Sequence, residues 1–292
     1  LHDKYAFIFF LIFFLVGIFI TKDYGVSSDE YASRIKGFVT LNYLGEKYAP
    51  EINKKYKENK NIPNFKEFEQ GRNYGVVFEA PASFIEVIFK IKDKKNQFLL
   101  RHYLTFLIFF ISTIFFYRVL KKRFNNNFAI LGTIFLILSP RIFANSFYNN
   151  KDLIFLSISC VFFYYSINFF FKPSLKSAIF LAIVSALAFD IRILAIIFIF
   201  SFYMMIFLYH LDNPKKSFAG NRYYPLITIF ILFFIYIFWP YLWIDPINNL
   251  INFFTDMKTN MPGMQNLYLG NLFFSKNTPW HYEMIWILIT SP

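Results

Sequence analysis

The sequence predicts an all-α, polytopic membrane protein of about seven transmembrane helices, with further interfacial helices in its first long loop. Two observations carry that prediction. Hydrophobic residues make up 57% of the 292-residue chain and charged residues 16%, a balance typical of membrane-embedded chains. The apolar residues also fall in long uninterrupted runs, many flanked by lysine and aromatic residues, rather than in short amphipathic stretches.

A span needs roughly 20 apolar residues to cross about 30 Å of hydrocarbon. On that scale residues 5–20 form a short first span. Lys4 precedes its apolar core as in a secretory leader, but Thr21-Lys22-Asp23-Tyr24 offers no small-residue cleavage site, so the span is read as retained. Residues 21–101 then form a long polar loop. Within it, residues 49–69 are lysine-rich and read as a solvated surface segment. Residues 81–92 alternate Ala82, Phe84, Ile85, Ile88, Phe89 and Ile91 with Ser83, Glu86, Lys90 and Lys92, which predicts an amphipathic helix lying at the interface.

Residues 102–120 and 128–138 form the next pair of spans, the second of them short unless it continues through Pro140. Residues 153–171 are the fourth. The apolar stretch 175–211 is too long for one crossing and is interrupted by Asp190-Ile191-Arg192, so it reads as two spans joined by a tight turn. Residues 226–243 are the seventh. There is no internal repeat, and residues 1–292 read as a single transmembrane domain. The chain begins at Leu1 and stops just after Met284-Ile285-Trp286-Ile287-Leu288-Ile289, which resembles the approach to another span; a C-terminally truncated fragment is expected.

Orientation follows from the short loops. Lys121-Lys122-Arg123, Lys172 with Lys176, and Lys215-Lys216 with Arg222 fall on one side when the spans alternate, which makes that side cytoplasmic. The 21–101 loop, residues 140–152, the Asp190-Arg192 turn and everything after residue 243 then face outward. The long loop is also lysine-rich, but long loops translocate largely regardless of charge. The net charge of +12 is spread over loops with no nucleic-acid motif, so it is assigned to anionic lipid and topology rather than to nucleic acid. Cys160, the only cysteine, sits in an apolar run and reads as packing; most of the 44 Phe are expected to face lipid.

Three clusters of ionisable residues lie on the outer side. In Ser27-Ser28-Asp29-Glu30-Tyr31 a partly desolvated carboxylate could act as general base toward an acceptor hydroxyl while its neighbour orients it or holds a cation. The same residues suit an ordinary helix start. In Ser139 to Asp152, Arg141 and Lys151 could bind a lipid-linked phosphate and Asp152 adds a second carboxylate; interfacial snorkelling and capping are the competing reading. Asp190 and Arg192 either pair with each other or leave Arg192 to neutralise phosphate. Tyr148 and His281 are further candidate substrate contacts, although Trp280-His281-Tyr282 also fits an aromatic belt. A Mg²⁺ or Mn²⁺ site at the acidic pair stays open, since a hard cation usually needs more oxygen ligands than this pattern names. There is no Walker A loop, HExxH motif, cysteine pair or glycine-rich dinucleotide turn, which removes support for a nucleotide-driven pump or a zinc protease.

Together these pieces resemble the dolichyl-phosphate-mannose-protein mannosyltransferase-like family, glycosyltransferase family 39 of the GT-C superfamily. The matching segments are Asp29-Glu30 after the first span, Tyr74-Gly75 before the amphipathic helix, Ser139-Pro140-Arg141 through Asn149-Asn150-Lys151-Asp152, Ala188 through Arg192, Leu269-Gly270, Pro279-Trp280-His281-Tyr282 and Thr290-Ser291-Pro292. The resemblance implies an inverting transfer of a hexosyl or pentosyl group from a polyprenyl-phosphate-linked sugar to an acceptor on the extracytoplasmic side of a cell (inner) membrane. It carries the base to Asp29, with Glu30 beside it, and the carrier-phosphate contacts to Arg141, Lys151 and Arg192. The alternative is a transporter or flippase of a lipid-linked or anionic substrate, which would place charges at mid-membrane on broken helices and show paired halves. A membrane scaffold with purely structural clusters is the third reading.

Overall fold

In a computed structural model, which describes residues 2–51, 62–65, 68, 75–213, 218–259, 265–274 and 277–290, the chain is almost entirely helical. Most of the 49–69 segment lies outside the described residues, as do Tyr74, Lys215, Lys216, Ser291 and Pro292.

The seven predicted spans are seven apolar helices. Helix α1 (His2–Ile20) is joined by a 3-10 turn, Thr21–Asp23, to the loop helices α2 (Ser28–Tyr48) and α3 (Glu79–Ile88). Helix α4 (Lys94–Arg123) starts eight residues before the predicted span because the Asp93 carboxylate caps it, accepting the Asn96 amide at 3.1 Å, and the polar residues that follow continue the helix. At 30 residues it is about 45 Å long, so its ends project beyond the hydrocarbon. Helix α5 (Asn126–Leu138) does not run on through Pro140. Proline has no amide to continue the ladder, and it opens the short helix α6 (Pro140–Asn145) instead.

Helix α7 (Asp152–Phe171) is followed by α8 (Leu175–Ile191) and α9 (Ala195–Asp212), which meet at the predicted Asp190–Arg192 turn. After a 3-10 turn, Asn221–Tyr223, helix α10 (Tyr224–Phe238) stops short of the predicted residue 243, because Pro240 begins a new 3-10 turn, Pro240–Trp243. Helix α11 (Pro246–Thr259), a hairpin of β1 (Gln265–Tyr268) and β2 (Asn271–Phe274), and α12 (Tyr282–Thr290) complete the chain. The hairpin turns on Leu269 and Gly270, both with positive φ, as a two-residue turn demands. Five segments are long and apolar enough to cross a membrane, namely Lys4–Asp23, α4, α7, α9 and Asn221–Phe238; α5 and α8 are shorter.

Contacts at the helix ends fix the alternation. At one end Lys122 hydrogen-bonds Asn168, Arg123 lies 5.0 Å over the Phe171 ring and His210 meets Asn221 at 3.1 Å. At the other, Lys151 meets Asp29, Arg192 meets Asp152, and the Gly75 amide donates to the Asp190 carbonyl. The phenylalanines divide between two environments. Phe106, Phe109, Phe147 and Phe169 are fully buried between helices, whereas Phe7, Phe19, Phe135 and Phe200 are exposed on the apolar outer surface. Helix α1 approaches α4 so closely at Gly17 that a Cβ there would overlap the Phe106 ring. Cys160 is buried in the core.

Helix α3 is amphipathic in the direction an interface requires. Glu79, Ser83 and Glu86, at positions i, i+4 and i+7, share one face and are buried against α2 and α4, while Phe84, Ile88 and the following Phe89 are exposed. Its tight seam with α2 depends on Gly37, where a Cβ would overlap Ser83 and the Glu79 backbone.

Candidate active site at one end of the bundle

The first turn of α2, the loop joining α6 to α7, and the turn after α8 converge at one end. Asp29 is the second residue of α2, so its carboxylate stands near the helix N-terminus, where backbone amides favour negative charge. Its side chain is 67% exposed and lies 3.4 Å from Lys151 Nζ. Asp152 opens α7. The Asn149 side-chain oxygen accepts both the Lys151 and the Asp152 amides, at 3.1 and 2.8 Å, which folds the loop into a compact turn. Asp152 forms an ion pair with Arg192. The Asp190 to Arg192 pairing considered from sequence does not occur: α8 ends at Ile191, its last turn directs Asp190 toward residues 75–77, and Arg192 turns to Asp152.

Asp29, Asn149, Lys151 and Asp152 line a pocket that adjoins a larger groove. A polar pocket of about 140 Å³ is bounded by Ser27, Ser28, Asp29, Tyr148, Asn149, Asn150, Lys151 and Asp152. A larger groove of about 840 Å³ shares Tyr148, Asn149 and Asp152 with it, holds Arg141 at its rim, and is walled by Ile142, Leu153, Leu156, Trp286 and Ile289. Tyr148 stacks on Tyr24 at 6.0 Å, and Tyr24 on buried Phe147 at 4.6 Å, so the wall between the cavities is braced by aromatic packing.

The site therefore gathers Asp29, Asp152, Lys151, Tyr148 and Arg141, with Arg192 attached through Asp152. Glu30 is present but turned inward. It is fully buried, with one oxygen accepting the Ser27 amide at 2.7 Å and the other paired with His102 Nε2 at 2.9 Å. His281 lines neither cavity and meets the Tyr268 hydroxyl at 2.6 Å. The described residues contain no group of three or more His, Cys, Asp or Glu that could hold a metal ion, and the pocket's two carboxylates each face a cation.

Beneath the pocket lies a buried ionic layer that sequence reading missed. Arg101 Nη1 donates to Glu86 at 2.6 Å and to the Gln97 carbonyl at 3.0 Å, Nη2 donates to Ser83 at 3.1 Å, and Nε stands 3.5 Å from Glu79. Glu86 also binds Arg34, and Glu79 accepts from the Asn150 side chain. Lys36 Nζ donates to the Gly75 carbonyl at 2.8 Å, and the Asp190 carboxylate accepts the Val77 amide at 3.0 Å. Burial pushes the Lys36 ammonium down to about 8 against the opposing pull of Glu79 and Asp190. Burial likewise raises the Glu79 carboxyl, offset in part by Arg101 and Lys36. A signal for this layer was present, because Glu79, Ser83 and Glu86 make a polar stripe on α3 that needs a partner if the helix's apolar side faces lipid.

Residues 80–242, from α3 through the turn after α10, match the family described as dolichyl-phosphate-mannose-protein mannosyltransferase. Comparison with curated proteins and with solved structures finds no match. The matched segment contains Arg141, Lys151, Asp152 and Arg192, while Asp29 lies ahead of it. With more than half of its length matched, the chain belongs to the dolichyl-phosphate-mannose-protein mannosyltransferase family and is a membrane glycosyltransferase of the GT-C type.

Proposed function

We propose that the protein transfers one sugar, with inversion, from a polyprenyl-phosphate carrier to an acceptor on the extracytoplasmic side. The observation that supports this most is the adjacency of the two cavities: a carboxylate-lined polar pocket shares Tyr148, Asn149 and Asp152 with a groove that has an arginine rim and an apolar wall. A polyprenyl-phosphate sugar has the same division of chemistry, with a polar head, an anionic link and an apolar tail. In this reading the tail lies along Leu153, Leu156, Trp286 and Ile289, and the sugar occupies the pocket.

Asp29 acts as general base. As the acceptor hydroxyl attacks the anomeric carbon, its proton passes to the Asp29 carboxylate and the carbon–phosphate oxygen bond breaks on the opposite side. The bonding electrons leave on the polyprenyl phosphate. Lys151 and Arg192 supply positive charge to the departing group, and Arg141 holds the carrier phosphate at the rim, where the guanidinium fork suits two phosphate oxygens. Lys151 and Arg192 face Asp29 and Asp152 in the structure, so donor binding would exchange carboxylate partners for phosphate. The Lys121-Lys122-Arg123 end of α4, with Lys172 after α7 and Lys176 at the start of α8, lies at the far end of the bundle, which supports an outward-facing pocket.

The test is donor-dependent release of polyprenyl phosphate by the full-length protein in membranes. Arg141→Ala should raise the donor KM about tenfold or more, the scale of a lost charge-assisted contact. An unchanged donor KM in Arg141→Ala contradicts the phosphate-binding role of the rim.

A further inference from the structure

We propose that His102 is a positioning residue that sets the location of Asp29 by acting through Glu30. The inference rests on the reading of Asp29 as the base.

Asp29 has two-thirds of its side chain in solvent, and its place is fixed largely by the backbone of the first turn of α2. That turn is pinned by the next residue. Glu30 Oε1 accepts the Ser27 amide, closing the helix start from inside, and Oε2 accepts from His102 Nε2–H on α4. Glu30 is fully buried and His102 is 2% exposed, so neither lines the pocket or the groove. The other nitrogen of the imidazole, Nδ1, is also buried and has no hydrogen-bond partner among the described residues. The bond to Glu30 is therefore the polar contact that orients the ring.

The consequence is a rigid link from a 30-residue helix to the residue beside the base. Removing the His102 donor leaves a buried carboxylate with one amide partner in place of two partners. Such a carboxylate is driven toward water, and that movement carries the first turn of α2 with it. A displacement near 1 Å at a reacting group costs up to about a hundredfold in rate. His102 is adjacent to Arg101, which ties Glu86 and approaches Glu79, and Glu79 holds Asn150 of the opposite pocket wall. Consecutive residues of α4 thus connect to both sides of the pocket.

The experiment compares wild type, His102→Ala, His102→Gln, Glu30→Leu and Asp29→Asn in the full-length protein, measuring kcat and donor KM per folded molecule. His102→Ala should lower kcat about ten- to a hundredfold with donor KM within about threefold. His102→Gln, which retains an N–H donor, should recover most of that loss. Glu30→Leu, which removes both acceptor oxygens, should resemble His102→Ala. If His102→Ala does not fold, the comparison of His102→Gln with Glu30→Leu decides: activity near wild type in the first and a kcat loss in the second support the link. Loss of folded protein with unchanged kcat per folded molecule overturns it, as does a kcat loss that glutamine does not recover. Should Asp29→Asn stay fully active, the base assignment itself fails and the link with it. Should Asp29→Asn be inactive while Glu30→Leu keeps full kcat, only the positioning inference falls.

Discussion

Gly75 and Asp190 are bound backbone to backbone, with the Gly75 amide donating to the Asp190 carbonyl at 2.8 Å, and are packed so closely that a Cβ on Gly75 would overlap the Asp190 carboxyl group. The carboxylate cannot swing aside without giving up the Val77 amide. Gly75→Ala should therefore destabilise the protein by about 1–3 kcal/mol, the usual cost of overpacking, and lower its melting temperature in detergent.

Arg101 is fully buried and serves Glu86, Ser83 and the Gln97 carbonyl while facing Glu79. Arg101→Leu leaves Glu79 without its guanidinium and Glu86 with Arg34 alone, and should cost about 3–5 kcal/mol, measured as loss of folded yield. Arg101→Lys should recover only part of this, because a point charge cannot reproduce the guanidinium's set of directions.

Lys36 gives a pH dependence of known sign. Its folded pKa, about 8, lies below the ordinary lysine value of 10.5, so between these limits the unfolded chain binds more protons than the folded one. Stability from this group therefore rises as pH increases from 8 toward 10.5. Glu79 acts in the opposite sense at the acid end: its raised carboxyl favours the folded state at low pH, and that contribution is lost as pH rises above 4.5. Thermal melts of wild type and Lys36→Met from pH 7 to 10 should diverge, with the upward alkaline slope reduced in the variant.

The spans were legible because burial in lipid demands a long apolar run, and length alone then sets the element. The pocket residues Asp29, Lys151 and Asp152 were legible because strict alternation of spans sends them to one end. Pro240 marks where that reasoning fell short. It sits inside an apolar run, where composition extends the helix and the missing amide ends it. The buried layer was illegible for another reason. Arg34 meets Glu86 across 52 positions and Val77 meets Asp190 across 113, so residues that resemble a solvated helix face become a core only after folding. Glu30 is the sharpest case, since its place beside Asp29 suggests a shared role and its side chain points the other way.

The Asp152–Arg192 pair is partly exposed on both sides, at 63% and 31%. Exposed pairs contribute little to stability, so Arg192→Gln should change it by less than about 1 kcal/mol. A strong loss of sugar transfer with an unshifted melting temperature would therefore report a substrate contact. Equal wild-type transfer rates would remove Arg192 from the phosphate set.

The most direct measurement is polyprenyl-phosphate release by full-length wild type and Asp29→Asn, using a panel of polyprenyl-phosphate monosaccharides with a membrane extract as acceptor source. Asparagine keeps the shape and cannot accept the proton. Release should fall by about a hundredfold or more, with donor binding retained. Undiminished release from Asp29→Asn would contradict the assignment of Asp29 as the base.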